Sequence, residues 1–532
     1  MRKLFLIAAI LFIASSCEEI FHPEDPYLAY LDSYDELLEA TGGVYGQLAE
    51  LISSGRFYLP NIKGDDITRQ YGSYDIYYRN FECDLSDVTI QDPQEKYYLE
   101  ETILLWRDLY LINSTVNNIL IQFSDAFSLE EQYRHVLGEL YLIRAYIHFR
   151  LSRCFGRVPY ITNCEPDYEV PLPEYDDLYC SIVSDLETAI RLLPSKASEA
   201  RIPYRTPHRG SAKALLAELY LNWAGYPAEN TEMYRKAAEV AGNLIDSAWY
   251  YEIGPAEDFL DMWLNNPSYN PESVFTIFFS DPDLISDLDE ANHLFIGQAG
   301  YGSIIVAPDS SGIATRFFAT EINFFNYFPE SYRKDNTFFT RIYLPSEPWV
   351  HAEDTGYIDV GEWEGCGRPV YNKFFHDVVA RSVDEFDTWW YDDVILFGLQ
   401  KIYLFRFSHT LLTYAEAKAR IGEFDATTFE AINIIRRRAN NVNIHTPSKY
   451  DLIPGLSAEE FIDSVIWERA WEFAGEPEGR WFDLLRTNQV RRLTALRHEL
   501  EGDLPKYPIG EDDYFFPIPG ADITLNPNLQ SN

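Results

Sequence analysis

The sequence predicts an all-α, mainly helical protein in which tetratricopeptide-like helix pairs form a scaffold under a loop-rich ligand-binding face with a few short strands. Three observations predict it. Val136, Leu140, Ile143, Ile147 and Leu151 step by 4, 3, 4 and 4, and Ala212, Leu215, Leu216 and Leu219 fall at i, i+3, i+4 and i+7, so each set lines one side of an amphipathic helix. Helical stretches come in pairs across short turns, Thr206–Gly225 before Thr231–Tyr250 and Phe407–Phe424 before Thr428–Asn440. Small Ala and Gly beside aromatics is the packing chemistry of such pairs, although no clean repeat of about 34 residues runs along the chain. Residues 251–403, by contrast, are rich in Pro, Gly, Asn and Asp and lack long apolar periods, which predicts loops, short helices and short strands laid over the scaffold.

In chain order, the first element is an export leader. Arg2 and Lys3 precede the apolar run Leu4–Ala14, and Ser15, Ser16 and Cys17 follow. The run is about half the roughly 20 apolar residues that a spanning helix needs, so it predicts a cleaved signal over residues 1–16. Small residues directly before Cys17 are similar to a bacterial lipobox, although Ala14 stands where Leu is usual, and predict acylation of Cys17. Several acyl chains, each adding about 0.8 kcal/mol per buried CH₂, would anchor the chain firmly in a membrane. Residues 17–31 contain the acidic, Pro-bearing stretch EEIFHPEDP and read as a tether. Residues 32–532 form a single domain, with an N-terminal helical part (32–250), an irregular part (251–403) and a C-terminal helical part and tail (404–532).

The 532 residues carry 43 Lys plus Arg against 84 Asp plus Glu, a formal net charge of −41 at pH 7. That field repels phosphate backbones and no basic run offsets it, which argues against nucleic acid and disfavours anionic ligands. With 46% hydrophobic and 24% charged residues the chain is globular in composition. Its 11 Trp, 38 Tyr and 34 Phe exceed what a core uses, because buried Tyr and Trp need partners for their polar tips, so part of this surplus is expected at the surface. Besides Cys17, the cysteines Cys83, Cys154, Cys164, Cys180 and Cys366 form no C-x-x-C pair and read as free thiols, with one bridge, Cys154 to Cys164 or Cys164 to Cys180, left open.

Enzyme motifs are missing: there is no H-E-x-x-H, Walker A or G-x-S-x-G, and GQAGYG (297–302) does not have dinucleotide-binding spacing. The acid cluster DPDLISDLDE (281–290) lacks the glycine and terminal glutamate of a calcium loop, and no metal site or cofactor is predicted. Glu468 and Glu472, at i and i+4, could be drawn as a glycosidase pair. Arg469, Arg480 and Arg486 lie close by in sequence, so structural ion pairs are the expected reading.

Five segments, in order along the chain, carry a family resemblance: RAYIHFRLSRCFGRVPYI (144–161), AKALLAELYL (212–221), YAEAKARIGEFDA with INIIRRRAN (414–426 and 432–440), ERAWEFAGEPEGRWFDLLR (468–486) and FPIPGADITLNPNLQSN (516–532). Together with the leader they resemble the SusD/RagB outer-membrane nutrient-binding lipoproteins. The resemblance implies a non-enzymatic, lipid-anchored, surface-exposed protein that captures oligosaccharide or polysaccharide and acts as the lid of a SusC-like, TonB-dependent outer-membrane transporter. Peptide or another nutrient captured by the same fold is the alternative, with a surface glycosidase behind it.

Glycan capture requires flat aromatic faces against the C–H faces of sugar rings, with Asp, Asn or Arg hydrogen-bonding to hydroxyls. Two regions meet that need. In GDDITRQYGSYDIYYRN (64–80), Asp65, Asp66, Arg69, Tyr71, Tyr74, Tyr77 and Tyr78 alternate polar and aromatic character just before the helix carrying Trp106. The irregular part supplies Tyr301, Trp349, Trp363, Trp389 and Trp390. Ligand sites of the resembled family have a similar placement, and the expected ligand is a neutral oligosaccharide.

Overall fold

The computed structural model describes residues 30–69, 93–123, 125–164, 167–247, 251–263, 270–278, 305–306, 313–314, 318–339, 341–343, 357–359, 369–371, 373, 401–423, 425–497 and 514–530. Long helices dominate: α1 (Tyr34–Ser53), α2 (Pro93–Gln122), α3 (Glu131–Phe155), α4 (Tyr175–Leu192), α5 (Arg209–Ala224) and α6 (Met233–Asp246). Among the described residues of the irregular part, three short helices follow, α7 (Ala256–Asp261), α8 (Ile322–Tyr327) and α9 (Tyr332–Thr337). The C-terminal part holds α10 (Phe407–Arg420), α11 (Ala426–Ala439), α12 (Ala458–Glu472), α13 (Arg480–Arg486), α14 (Val490–Thr494) and α15 (Gly520–Leu525).

Local chemistry sets the helix ends. Ser33 with Glu36, and Ser457 with Glu460, close capping boxes at the starts of α1 and α12, and the Asp425 carboxylate caps α11 by accepting from the Thr427 and Thr428 amides. Gly156 ends α3 at φ +79°, a conformation that suits glycine. The stripe Val136, Leu140, Ile143, Ile147 and Leu151 is wholly buried, and Ala212, Leu215, Leu216 and Leu219 are buried with it. Each buried aliphatic side chain contributes roughly 1.5–3 kcal/mol.

Neighbours in sequence pack as neighbours in space from α1 through α6; α10 then packs on α6 and carries α11 and α12. The stack is thus continuous although the irregular part intervenes. Where α5 ends, its backbone meets the end of α13: a Cβ on Gly225 would lie 2.3 Å from the Arg486 carbonyl oxygen, which already accepts from the Tyr226 amide at 2.8 Å. Gly225→Ala is therefore expected to destabilise the protein by about 3 kcal/mol, read by guanidinium unfolding. A change below about 0.5 kcal/mol would show that this junction yields freely.

The described strands are β1 (Ile67–Arg69), β2 (Ser273–Phe278), β3 (Ile305–Val306), β4 (Ile313–Ala314), β5 (Phe318–Thr320), β6 (Phe338–Phe339), β7 (Arg341–Tyr343), β8 (Tyr357–Asp359), β9 (Val370–Tyr371) and β10 (Lys401–Arg406). They pair only in twos, all antiparallel: β1 with β5, β2 with β10, β3 with β4, β6 with β9 and β7 with β8. β10 is buried along its whole length and runs directly into α10, which ties the irregular part to the helical stack. Cys154, Cys164 and Cys180 are free thiols, so neither bridge left open by the sequence forms. The acid cluster at 281–290 and the glycine segment at 297–302 lie outside the described residues.

Candidate functional site

Described residues from the first region and from the irregular part pair at one ladder. β1 and β5 pair with Ile67 opposite Thr320 and Arg69 opposite Phe318. Because the pairing is antiparallel, the last residue of β1 and the first residue of β5 stand at the same end of the ladder, about 4.8 Å apart, one strand spacing. Trp349 falls in sequence between the paired strands β7 and β8, Trp363 between β8 and β9, and Trp389 and Trp390 between β9 and β10. These aromatics and Tyr71, Tyr74, Tyr77, Tyr78 and Tyr301, like Cys17, lie outside the described residues; Arg69 is the last residue of β1.

Asp65 and Asp66 anchor the base of this region instead of facing a ligand. Arg480 donates to both oxygens of Asp65, from Nε at 2.5 Å and Nη2 at 2.7 Å, and both side chains are buried. The Arg480 guanidinium also lies 4.8 Å from the centre of the Trp467 ring. Asp66 is buried, and its carboxyl is pushed up to about 7 by that burial and by the neighbouring Asp65 charge. Its carbonyl oxygen accepts from the Tyr371 hydroxyl at 2.8 Å and the Glu321 amide at 3.0 Å. Arg497 holds the same stretch by donating to the carbonyls of Gly64 and Ile67.

Beneath the ladder lies a buried ionic network centred on the segment 468–486. Arg406, with no exposure, donates to Glu476 at 2.9 and 2.8 Å, to Glu472 at 2.9 Å and to Glu272. Arg438 bridges Glu272 and Glu472, Arg333 bridges Glu468 and Glu472, and Lys373 donates to Glu476 at 2.6 Å. Glu478 accepts from Arg150, Arg153 and Tyr146, linking α3 to the same segment. Burial alone would raise the Glu472 carboxyl, but Arg438, Arg406 and Arg333 outweigh it and hold the group below the usual carboxylate range.

The glutamates at i and i+4 are thus structural, as the sequence predicts, but their partners differ. Glu468 pairs with Arg333 and Arg436, and Glu472 with Arg333, Arg406 and Arg438. The nearby arginines go elsewhere: Arg469 to Glu218 and Asp483, Arg480 to Asp65, and Arg486 to Glu416 and Asp483. Sequence reasoning missed Arg333, Arg406, Arg438 and Lys373. The one signal was an arginine inside an apolar run, as in KIYLFRF (401–407). Trp481 is fully buried, and Trp467 and Trp471 pack against the core as expected.

Comparison with known proteins places these features in context. The model of the SusD family matches residues 394–532, and the model described as starch-binding associating with outer membrane matches residues 44–221. SusD-like protein P2 of Formosa agariphila is 24% identical over 451 residues, 80% of this chain and 79% of that protein. A solved SusD homolog from Bacteroides thetaiotaomicron aligns with a TM-score of 0.75 at 21% identity, over 96% of this chain and 98% of that one. Surface glycan-binding protein A from Bacteroides fluxus aligns with a TM-score of 0.66 at 18% identity, over 93% and 97% of the two chains.

Proposed function

Since the chain belongs to the SusD/RagB family, we propose that it is a non-enzymatic glycan-binding protein, held at the cell surface by a lipid on Cys17, that acts as the lid of a TonB-dependent outer-membrane importer. The observation that supports this reading is the β1–β5 ladder, which pairs Ile67–Arg69, just before Tyr71, Tyr74, Tyr77 and Tyr78 in sequence, with Phe318–Thr320 of the irregular part. Such a junction supports one ligand face built from both regions, with Tyr and Trp rings stacking on sugars. The rigid base under it, Asp65 with Arg480 and Arg497 on the Gly64 and Ile67 carbonyls, would keep that face in place without touching the ligand. The likeness to a protein named for glycan binding, surface glycan-binding protein A, supports the same ligand class, and the net charge of −41 favours neutral over acidic polymers. Capture would be followed by hand-over as the lid closes on the transporter.

Calorimetric titration of residues 18–532 against neutral and acidic polysaccharides, with assay of each mixture for released sugar, tests it. Binding of a neutral polymer without release is the expected result. Replacing Tyr74 and Tyr77, or Trp363 and Trp389, by Ala is expected to lower affinity at least about tenfold, the equivalent of 1.4 kcal/mol, with the unfolding midpoint unchanged. Released sugar, or silence across sugars beside binding to peptides, would overturn the reading.

A further inference from the structure

A second concave site lies on the helical scaffold, lined by none of the residues assigned to the ligand face. It is a cleft of about 490 Å³ between α2, residues 159–170 and the C-terminal residues 522–529, a size suited to a small ligand. Its walls are pre-formed. The Tyr110 hydroxyl donates to the Pro159 carbonyl at 2.8 Å, and the Asn113 and Asn117 amides donate to Ile161 at 3.0 and 2.9 Å, which fixes the floor to α2. On the far side the Asn526 and Asn528 side chains donate to the Val170 and Glu169 carbonyls at 2.8 and 3.1 Å, which clamps the C-terminal wall.

The lining has the composition that sugar recognition needs. Tyr168 stands at the cleft with 58% of its surface exposed, a flat aromatic face open to solvent, and Tyr110 lines the wall over the buried Trp106. Arg107, Asn163, Asp167 and Asp522 supply donors and acceptors around these rings. Asp522 is only partly exposed, and that partial burial raises its carboxyl from the ordinary value, as in a site already shielded from water. Leu525 adds an exposed apolar edge at 63%. Acids next to the rings, on a chain of net charge −41, disfavour phosphate, sulfate or uronate.

From this arrangement we infer that the cleft is a second carbohydrate subsite, taking a short stretch of a neutral oligosaccharide with Tyr168 stacked on a ring and Asp167, Asp522 and Asn163 on its hydroxyls; the inference rests on the glycan-binding reading above. A polymer that reached both the ligand face and the cleft would bind more tightly than through either contact alone.

Hydrogen-exchange mass spectrometry of residues 18–532 with neutral hexasaccharides of α-glucan, β-glucan and mannan tests the cleft directly. The expected result is protection of residues 159–170 and 520–529 by the sugar that also protects the ligand face. Tyr168→Ala, at an exposed position, and Asp522→Asn should each weaken the cleft protection about tenfold and leave protection at the face intact. Protection confined to the face, or cleft protection unchanged in both variants, would overturn the second subsite while leaving the glycan-binding reading standing. Protection at neither place by any of the sugars would overturn both, and cleft protection by an apolar peptide alone would reassign the cleft to peptide.

Discussion

Replacing Arg406 with Met is expected to lower the unfolding free energy by about 3–5 kcal/mol, as measured by guanidinium unfolding. Arg406 is fully buried and donates to three glutamates, Glu272, Glu472 and Glu476, and to the Glu472 carbonyl. Met fills similar volume but donates nothing, so three carboxylates must share the remaining cations Arg438, Arg333 and Lys373. Lysine at the same position is expected to recover little, because one ammonium cannot reproduce a fork that reaches several carboxylates. Adding Glu476→Gln to Arg406→Met should recover part of the loss, since it removes the carboxylate with the fewest other partners in this network. A loss below about 1 kcal/mol, or no coupling in that cycle, would mean that the network tolerates an unpaired charge and does not hold the fold together.

The second large effect is on pH. Burial alone would raise the Glu416 carboxyl, but Arg486 and Arg420 overcome it and hold the group at about 2; Glu472 and Glu272 are likewise lowered by their arginines against their burial. A lowered folded-state pKa contributes stability above the unfolded value, about 4.5, that is lost as pH falls toward 2. For Glu416 alone this is on the order of 3 kcal/mol. Asp66 acts in the opposite sense: its folded value of about 7 lies above the unfolded one, so its contribution is full below about pH 4 and lost as pH rises through 7. Stability is therefore expected to climb from pH 2 to about 5 and then decline toward pH 8. Asp66→Asn should flatten the upper decline and leave the acid limb unchanged. Chemical unfolding across that range decides it, and an identical decline in variant and parent would remove Asp66 as the cause, leaving repulsion among the excess acids.

The helices were legible in the sequence because their signal is local. The spacing of Val136, Leu140, Ile143, Ile147 and Leu151 needs one turn of context, as do caps such as Ser457 with Glu460. The family was legible too, from five ordered segments. What the tertiary structure alone decided is which charges meet. Asp65 and Asp66 sit among tyrosines and read locally as ligand contacts, yet Arg480, 415 residues further on, takes the Asp65 carboxylate into the interior. Glu472 stands three residues from Arg469 but pairs with Arg406, 66 residues earlier, and with Arg333, 139 residues earlier. A hydrophobic period repeats within a helix and marks its inward side wherever that helix packs. An ion pair depends on which two elements cross at one depth in the protein, and here α9, β10 and α11 bring Arg333, Arg406 and Arg438 to Glu472 at the end of α12.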